Sequence, residues 1–222
     1  MTTALVVVLA CAVVALSSAC CTPDQWEGVQ TAFGGYASTI RPSSGIISMD
    51  SAISYDAKNN RSASFITGSG RGEEFKLKLL TIYDNKSGAG KLYVMDYIKD
   101  VCNTVILRTP FRRSCVPAEA KPVVNFSLGY APAIKAVGYQ IPGKEVQTFL
   151  SVQDLGNNQC VPVSEALYGT VRQVNIVETV AFINITSGIK NETVFDIPEK
   201  CQKMTDSNLA ERLLHEYYIM AI

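Results

Sequence analysis

FKLKLLTIYDNKSGAGKLYVMDYI, residues 75–98, reads as two strands joined by a turn. Phe75, Leu77, Leu79, Thr81 and Tyr83 alternate with Lys76, Lys78, Leu80 and Ile82, the two-residue period of a strand with one buried face. Asp84-Asn85-Lys86-Ser87-Gly88-Ala89-Gly90 has turn composition, and Lys91–Ile98 then resumes the strand pattern. A hairpin is the simplest connection.

The same grammar extends in both directions. Ile46–Tyr55 and Arg61–Thr67 form a second hairpin around Asp56-Ala57-Lys58-Asn59-Asn60. Further strands are expected at Val101–Arg108, Val123–Leu128, Glu145–Val152 and Val161–Leu167, and the longest β-rich run is Val171–Thr186. Many short strands without alternating helices argue for an all-β, mainly antiparallel sandwich or barrel-like sheet. Pro110–Pro122 is the irregular part, a loop or a short helix. After Cys201 the pattern changes: Asn208 with Glu211 imitates a capping box, and Leu209, Leu213, Tyr217 and Met220 fall on one helical stripe. The tail 202–222 is therefore expected to hold a short helix.

Residues 1–19 carry no charge, are almost wholly apolar, and end with the small residues Ser17 and Ala19 before Cys20. That is the layout of a secretory signal peptide, although the usual basic start is missing. Residues 20–201 are expected to form one β domain, with no transmembrane segment once the signal is removed. Cys11 leaves with the signal, and Cys20, Cys21, Cys102, Cys115, Cys160 and Cys201 remain. An even number in a secreted chain implies three disulfides, among about 15 pairings that spacing cannot choose between. The cysteines lie too far apart for zinc-type pairs. Five sequons, at Asn60, Asn85, Asn125, Asn184 and Asn191, add N-glycosylation at surface positions.

Twenty basic and 20 acidic side chains leave no net charge to draw in nucleic acid. Arg108, Arg112 and Arg113 read as a solvated turn. A hydrolytic triad needs a base, and the single histidine, His215, sits in the tail. Gly68-Ser69-Gly70-Arg71-Gly72 lacks the Lys-Ser/Thr of a phosphate loop, and Glu73 and Glu74 point to opposite faces of a strand. The chain is read as a non-enzyme without a resident cofactor. Asp50, Asp56, Asp84, Asp96 and Asp100 are scattered oxygen donors with no D-x-D-x-D-G loop, so a calcium site would have to be assembled from distant segments. Hydrophobic residues make up 47% of the chain, which suits an ordinary core or a concave apolar pocket. By alternation alone, the candidates for that pocket are Phe75, Leu77, Leu79, Leu92, Val94, Val105 and Leu107.

Several segments together resemble the ependymin family. Cys21-Thr22-Pro23-Asp24-Gln25-Trp26-Glu27-Gly28 is similar to its C-x-P-x-x-W-E-G opening, and Tyr55-Asp56-Ala57-Lys58 with Arg61 to its Y-D-x-x-x-x-R element. Val94-Met95-Asp96 through Cys102, Leu128-Gly129 and Asn158-Gln159-Cys160-Val161-Pro162-Val163-Ser164 continue in the family's order. Phe182-Ile183-Asn184, Gly188-Ile189, Phe195-Asp196-Ile197-Pro198 and Cys201 complete it, although Gln159 stands where the family commonly has Gly. The resemblance implies two stacked, curved antiparallel sheets forming a half-barrel around a hydrophobic pocket. It further implies a secreted or lysosomal glycoprotein, often dimeric, linked to lipid binding, calcium-dependent behaviour and contact with the extracellular matrix or cells. It pairs Cys21 with Cys160 and Cys102 with Cys201, leaving Cys20 and Cys115 to each other. The function expected is a lipid or other hydrophobic ligand held between the sheets. The alternative is an adhesion or signalling glycoprotein acting through its surface.

Overall fold

A computed structural model describes residues 20–202 apart from 39–42, 71 and 172. The expected signal segment 1–19, most of the C-terminal tail with its expected helix, and His215 lie outside the described residues. Each hairpin expected from alternation forms. Those strands are β2 (Ser43–Asp56), β3 (Arg61–Gly70), β4 (Glu73–Tyr83) and β5 (Gly90–Asp96). β5 stops at Asp96 because that carboxylate accepts the backbone N–H groups of Ile98 and Lys99 and turns the chain. β6 (Val101–Leu107) comes directly after, and β7 (Lys121–Leu128), β9 (Val146–Gly156) and β10 (Gln159–Val171) also lie where expected. In the long run Val171–Thr186, Val171 is the last residue of β10, and β11 (Val174–Ser187) takes up the rest.

Two strands are additional. β8 (Ile134–Ile141) joins the second meander, and β1 (Gln25–Ser38) occupies the centre of the sheet. A Cβ on Gly34 of β1 would lie 2.5 Å from the Val177 carbonyl oxygen, so the close approach of β1 to β11 requires glycine there.

All neighbours are antiparallel, in the order β6-β5-β4-β3-β2-β1-β11-β10-β9-β8-β7. The chain steps outward from β1 to the β6 edge, crosses over, and steps back from the β7 edge until β11 meets β1. The two sheets expected from the sequence are thus one continuous, open sheet of 11 strands, because β1 pairs along both of its edges.

Register assigns the two faces. Ile66 lies opposite Leu77, Met49 opposite Ala32, and Ala32 opposite Val180, so these residues share one face, here called inward. They form one apolar cluster with Phe75 and Leu167, in which Leu77 is 1% and Val180 2% exposed. No helix or second sheet covers them among the described residues, and a sheet of this width twists and curls along its length. The outward side of β3–β6 has its own cover. There Ala63, Leu80, Tyr93, Met95 and Cys102 pack beneath Phe195 and Cys201, which lie in short 3-10 turns at Glu192–Phe195 and Glu199–Gln202. The second half of β4 is consequently apolar on both sides, with Leu80 and Ile82 outward and Leu77 and Leu79 inward.

Candidate functional site: the inward face of the sheet

The seven pocket candidates fall on this inward face. Phe75, Leu77 and Leu79 alternate along β4, Leu79 lies opposite Val94, Leu92 opposite Val105, and Leu107 opposite Gly90. They occupy two zones. Phe75, Leu77 and Leu79 belong to the central cluster, whereas Leu92, Val94, Val105 and Leu107 extend it towards the β6 edge. The centre also draws on Ala32, Met49, Ile66, Leu167 and Val180, which alternation within one hairpin could not reveal. Gly68 makes room for it, since a Cβ there would come within 2.7 Å of the Phe75 ring and 2.8 Å of Met49 Cβ.

One end of the face is closed. The crossover from β6 to β7 carries Phe111 onto Tyr55, with ring centroids 5.9 Å apart, and edge-on to Tyr83 at 5.6 Å. Trp26 continues this aromatic layer 5.9 Å from Tyr55. Burial raises the Tyr55 phenol above its usual pKa despite the hydrogen bond that the phenol oxygen accepts from the Ser114 N–H at 2.9 Å. Further along, Val116 packs on Val152 and Cys160.

Two of the three disulfides tie this end together. Cys102–Cys201 forms as the resemblance implies, but Cys20 pairs with Cys160 and Cys21 with Cys115, which corrects the implied Cys21–Cys160 and Cys20–Cys115 pairs. Neighbouring residues of an extended segment face opposite ways. Cys21 forms an antiparallel bridge with Cys115, and Cys20 packs against the cluster of Val116, Val152 and Cys160. The two cysteines of one dipeptide therefore exchange the partners expected of them. At the other end lie the β1–β2, β3–β4 and β10–β11 connections, each reaching into residues that are not described.

Two carboxylic acids interrupt the apolar face. Glu178 lies between Ile176 and Val180 on the inward register of β11, opposite Gly34 on β1 and Leu167 on β10. Glu165 lies opposite Val180, which makes the acids diagonal neighbours across β10 and β11. Glu178 is 6% exposed, and its Oε1 has no hydrogen-bond partner among the described residues. Burial, with the charge of Glu178, pushes Glu165 up to about 7, and burial pushes Glu178 up to about 7 as well. The signal was visible in the sequence as a Glu at an apolar position of an alternating strand.

A different polar centre organises the β2–β3 turn. Asp56 accepts hydrogen bonds from Gln25 Nε2 at 3.0 Å, Asn59 Nδ2 at 2.7 Å and Arg61 Nε at 2.8 Å. Burial alone would raise this carboxyl, but the bonds from Asn59, Arg61 and Gln25 outweigh it and hold Asp56 below the usual range. Arg61 also pairs with Glu192 and lies 4.0 Å over the Phe195 ring, joining the turn to the C-terminal segment. This accounts physically for the Tyr55-Asp56 and Arg61 element.

The five aspartates considered for calcium do not converge. Asp56 and Asp96 are engaged as described, Asp84 accepts the Lys86 N–H, Asp100 pairs with Lys200, and Asp50 is exposed on β2. Among the described residues no group of three or more His, Cys, Asp or Glu is placed to hold a metal, and no helix is long and apolar enough to cross a membrane. Glu73 and Glu74 are exposed at the start of β4. Of the sequon asparagines, Asn85, Asn125, Asn184 and Asn191 are exposed. Asn60 is half-buried at φ 51°, and its Nδ2 donates to Asn85 Oδ1 at 2.6 Å. A glycan on Asn60 would replace one of the two hydrogens on that nitrogen and leave the other to donate to Asn85.

Comparison with known proteins gives three results. Among solved structures, a DUF1329 family protein from Desulfovibrio piger is similar at 7% identity and a TM-score of 0.36, with 77% of this chain and 89% of that chain covered. A LolA superfamily protein from Nitrosomonas europaea is similar at 9% identity and a TM-score of 0.37, with 82% and 96% covered. No curated protein matches. The ependymin family model matches residues 71–201, from the β3–β4 turn to the last disulfide. That span exceeds half of the chain and includes the Cys102–Cys201 bridge and both inward acids, and the chain belongs to the ependymin family.

Proposed function

We propose that this chain is a secreted, N-glycosylated, non-enzymatic carrier that holds a lipid or other hydrophobic molecule against the inward face of its sheet. The observation that supports it most is the continuous apolar strip from Ala32 and Val180 through Met49, Ile66 and Leu77 to Val94, closed at one end by Phe111. Family membership and three disulfides support a compartment outside the cytosol, either extracellular or the lysosomal lumen. Calcium enters this reading through acidic groups on the glycans, since the aspartates do not converge. Native mass spectrometry of protein secreted by eukaryotic cells, with solvent extraction afterwards, tests the reading. A stoichiometric lipid is expected. A protein that emerges empty and takes up no member of a broad lipid panel would overturn it.

A second reading, adhesion to matrix or cells or self-association through the surface, is favoured by one outward patch. Ile46 and Val177 flank Gly35 from opposite strands, Tyr168 lies opposite Val177, and all three side chains are exposed. Specific adhesion that survives pocket-filling substitutions at Ala32 and Leu77 would establish it.

A further inference from the structure

The inward acids bear on the chemistry of the ligand's polar end, about which the apolar strip is silent. Glu178 is nine-tenths buried with an unpartnered oxygen, and it points into the apolar cluster of Val180, Leu167 and Ala32. Its cross-strand neighbour on β1 is Gly34, so no side chain from that strand stands over the carboxyl. Glu165, diagonal to it, faces the same space. The five strands β1, β2, β9, β10 and β11 contain no Lys, Arg or His at all. On the inward register of β1, β10 and β11, the other titratable side chain is Tyr36, near the far end of β1. Asp154 at the opposite end of β9, Tyr55 on β2, Tyr83 and the exposed Glu73 at the two ends of β4, and Asp96 opposite Leu77 on β5 complete the set from the strands around the cluster. None supplies a positive charge.

A buried carboxyl without a cation or a donor is costly, and natural cores rarely keep one. Resting on the carrier reading, we infer that Glu165 and Glu178 form the head-group subsite of the inward face, selecting amphiphiles with a cationic amine head and rejecting fatty-acid anions. An ammonium brings three N–H donors and the missing positive charge, enough to meet both carboxyls. A carboxylate head would add a third negative group to a dry site. Near neutral pH the two acids hold about one proton between them, because each titrates at about 7, so the pair carries roughly the charge that one ammonium cancels.

The test uses the full secreted glycoprotein after lipid removal and three probes of one chain length: dodecylamine, dodecanol and dodecanoate. At pH 7.5 the amine is expected to bind about tenfold or more tightly than the carboxylate, a difference of about 1.4 kcal/mol. Glu165→Gln with Glu178→Gln should abolish that preference while dodecanol binding persists. Wild-type protein needs no substitution for the second arm. On going from pH 7.5 to 5.0 the acids gain protons, and amine affinity should fall about tenfold while dodecanol affinity stays constant. Equal binding of amine and carboxylate, or an amine affinity indifferent to pH, would overturn the head-group assignment and leave the carrier reading standing. Failure of all three probes to bind would overturn both.

Discussion

The two ends of the inward face are built on opposite principles. At the closed end, the crossover segment is tied to the sheet by Cys21–Cys115, Val116 packs beside Cys20–Cys160, and Phe111 stacks on Tyr55. Backbone bonds reinforce it, from Thr22 N–H to the Ser114 carbonyl and from Val116 N–H to the Cys20 carbonyl. Nearby, the Asp56 carboxylate is surrounded by donors. Towards the other end, Glu178 and Glu165 lie among apolar side chains with no cation in the neighbouring strands. One region uses its polar groups to hold itself together, and the other keeps a buried polar pair whose contribution to stability fades as pH rises through neutrality. The contrast marks where the fold is a scaffold and where it is arranged for something else.

The largest effect is expected at the covalent tie. Replacing Cys21 and Cys115 by Ser opens a loop with a sequence separation of 94, and unfolding free energy in denaturant is expected to drop by about 4 kcal/mol. A negligible change would show that the closed end is held by packing alone. Next in size is Asp56→Ala, which leaves Arg61 Nε and the Asn59 amide without their acceptor, and about 3 kcal/mol should be lost at pH 7. Because Asp56 titrates below its ordinary range, its contribution is present above that range and lost as pH falls through the lowered pKa. The variant should therefore show a flatter acid limb.

The acid pair predicts the reverse slope. Its carboxyls hold protons more tightly folded than unfolded, so their contribution is complete below about 4.5 and is lost as pH rises through about 7. Thermal unfolding should show a stability smaller by on the order of 2–3 kcal/mol at pH 8 than at pH 5, with the difference nearly gone in the double Gln variant. A melting temperature that rises over this interval would contradict the burial described for Glu178. Smallest is Phe111→Ala, expected to cost about 1–2 kcal/mol, since the half-buried ring loses its stacking on Tyr55 and Tyr83. Near-ultraviolet circular dichroism should report the loosened aromatic layer.

The hairpin at residues 75–98 was legible because its side chains alternate strictly and its turn is rich in Asn, Ser and Gly. β1 was not, since Gly28, Gly34 and Gly35 dilute its pattern and its purpose is close approach rather than burial. Alternation gathered the seven pocket candidates onto one face but could not say which face looks inward. Leu80 and Ile82 on the other side of β4 are apolar too, because the segment around Phe195 and Cys201 covers them. The vicinal cysteines left their partners open for a related reason, as which of two adjacent side chains points to the sheet is a matter of tertiary register. The inward acids were readable as anomalies within β10 and β11, yet only the pairing of those strands makes them neighbours.

The arrangement of strands has a consequence for how the chain is made. β1 emerges first from the ribosome, and its second partner, β11, emerges after every other strand. Until about residue 187 has been synthesised, the first meander presents the bare backbone edge of β1, a template for pairing with any extended chain nearby. The sheet is thus zipped shut in its middle rather than at its rim, by contacts that span nearly the whole domain and so form slowly. A nascent chain halted before Val174 would be left as two separate meanders with an unguarded seam, the form most exposed to mispairing among crowded neighbours.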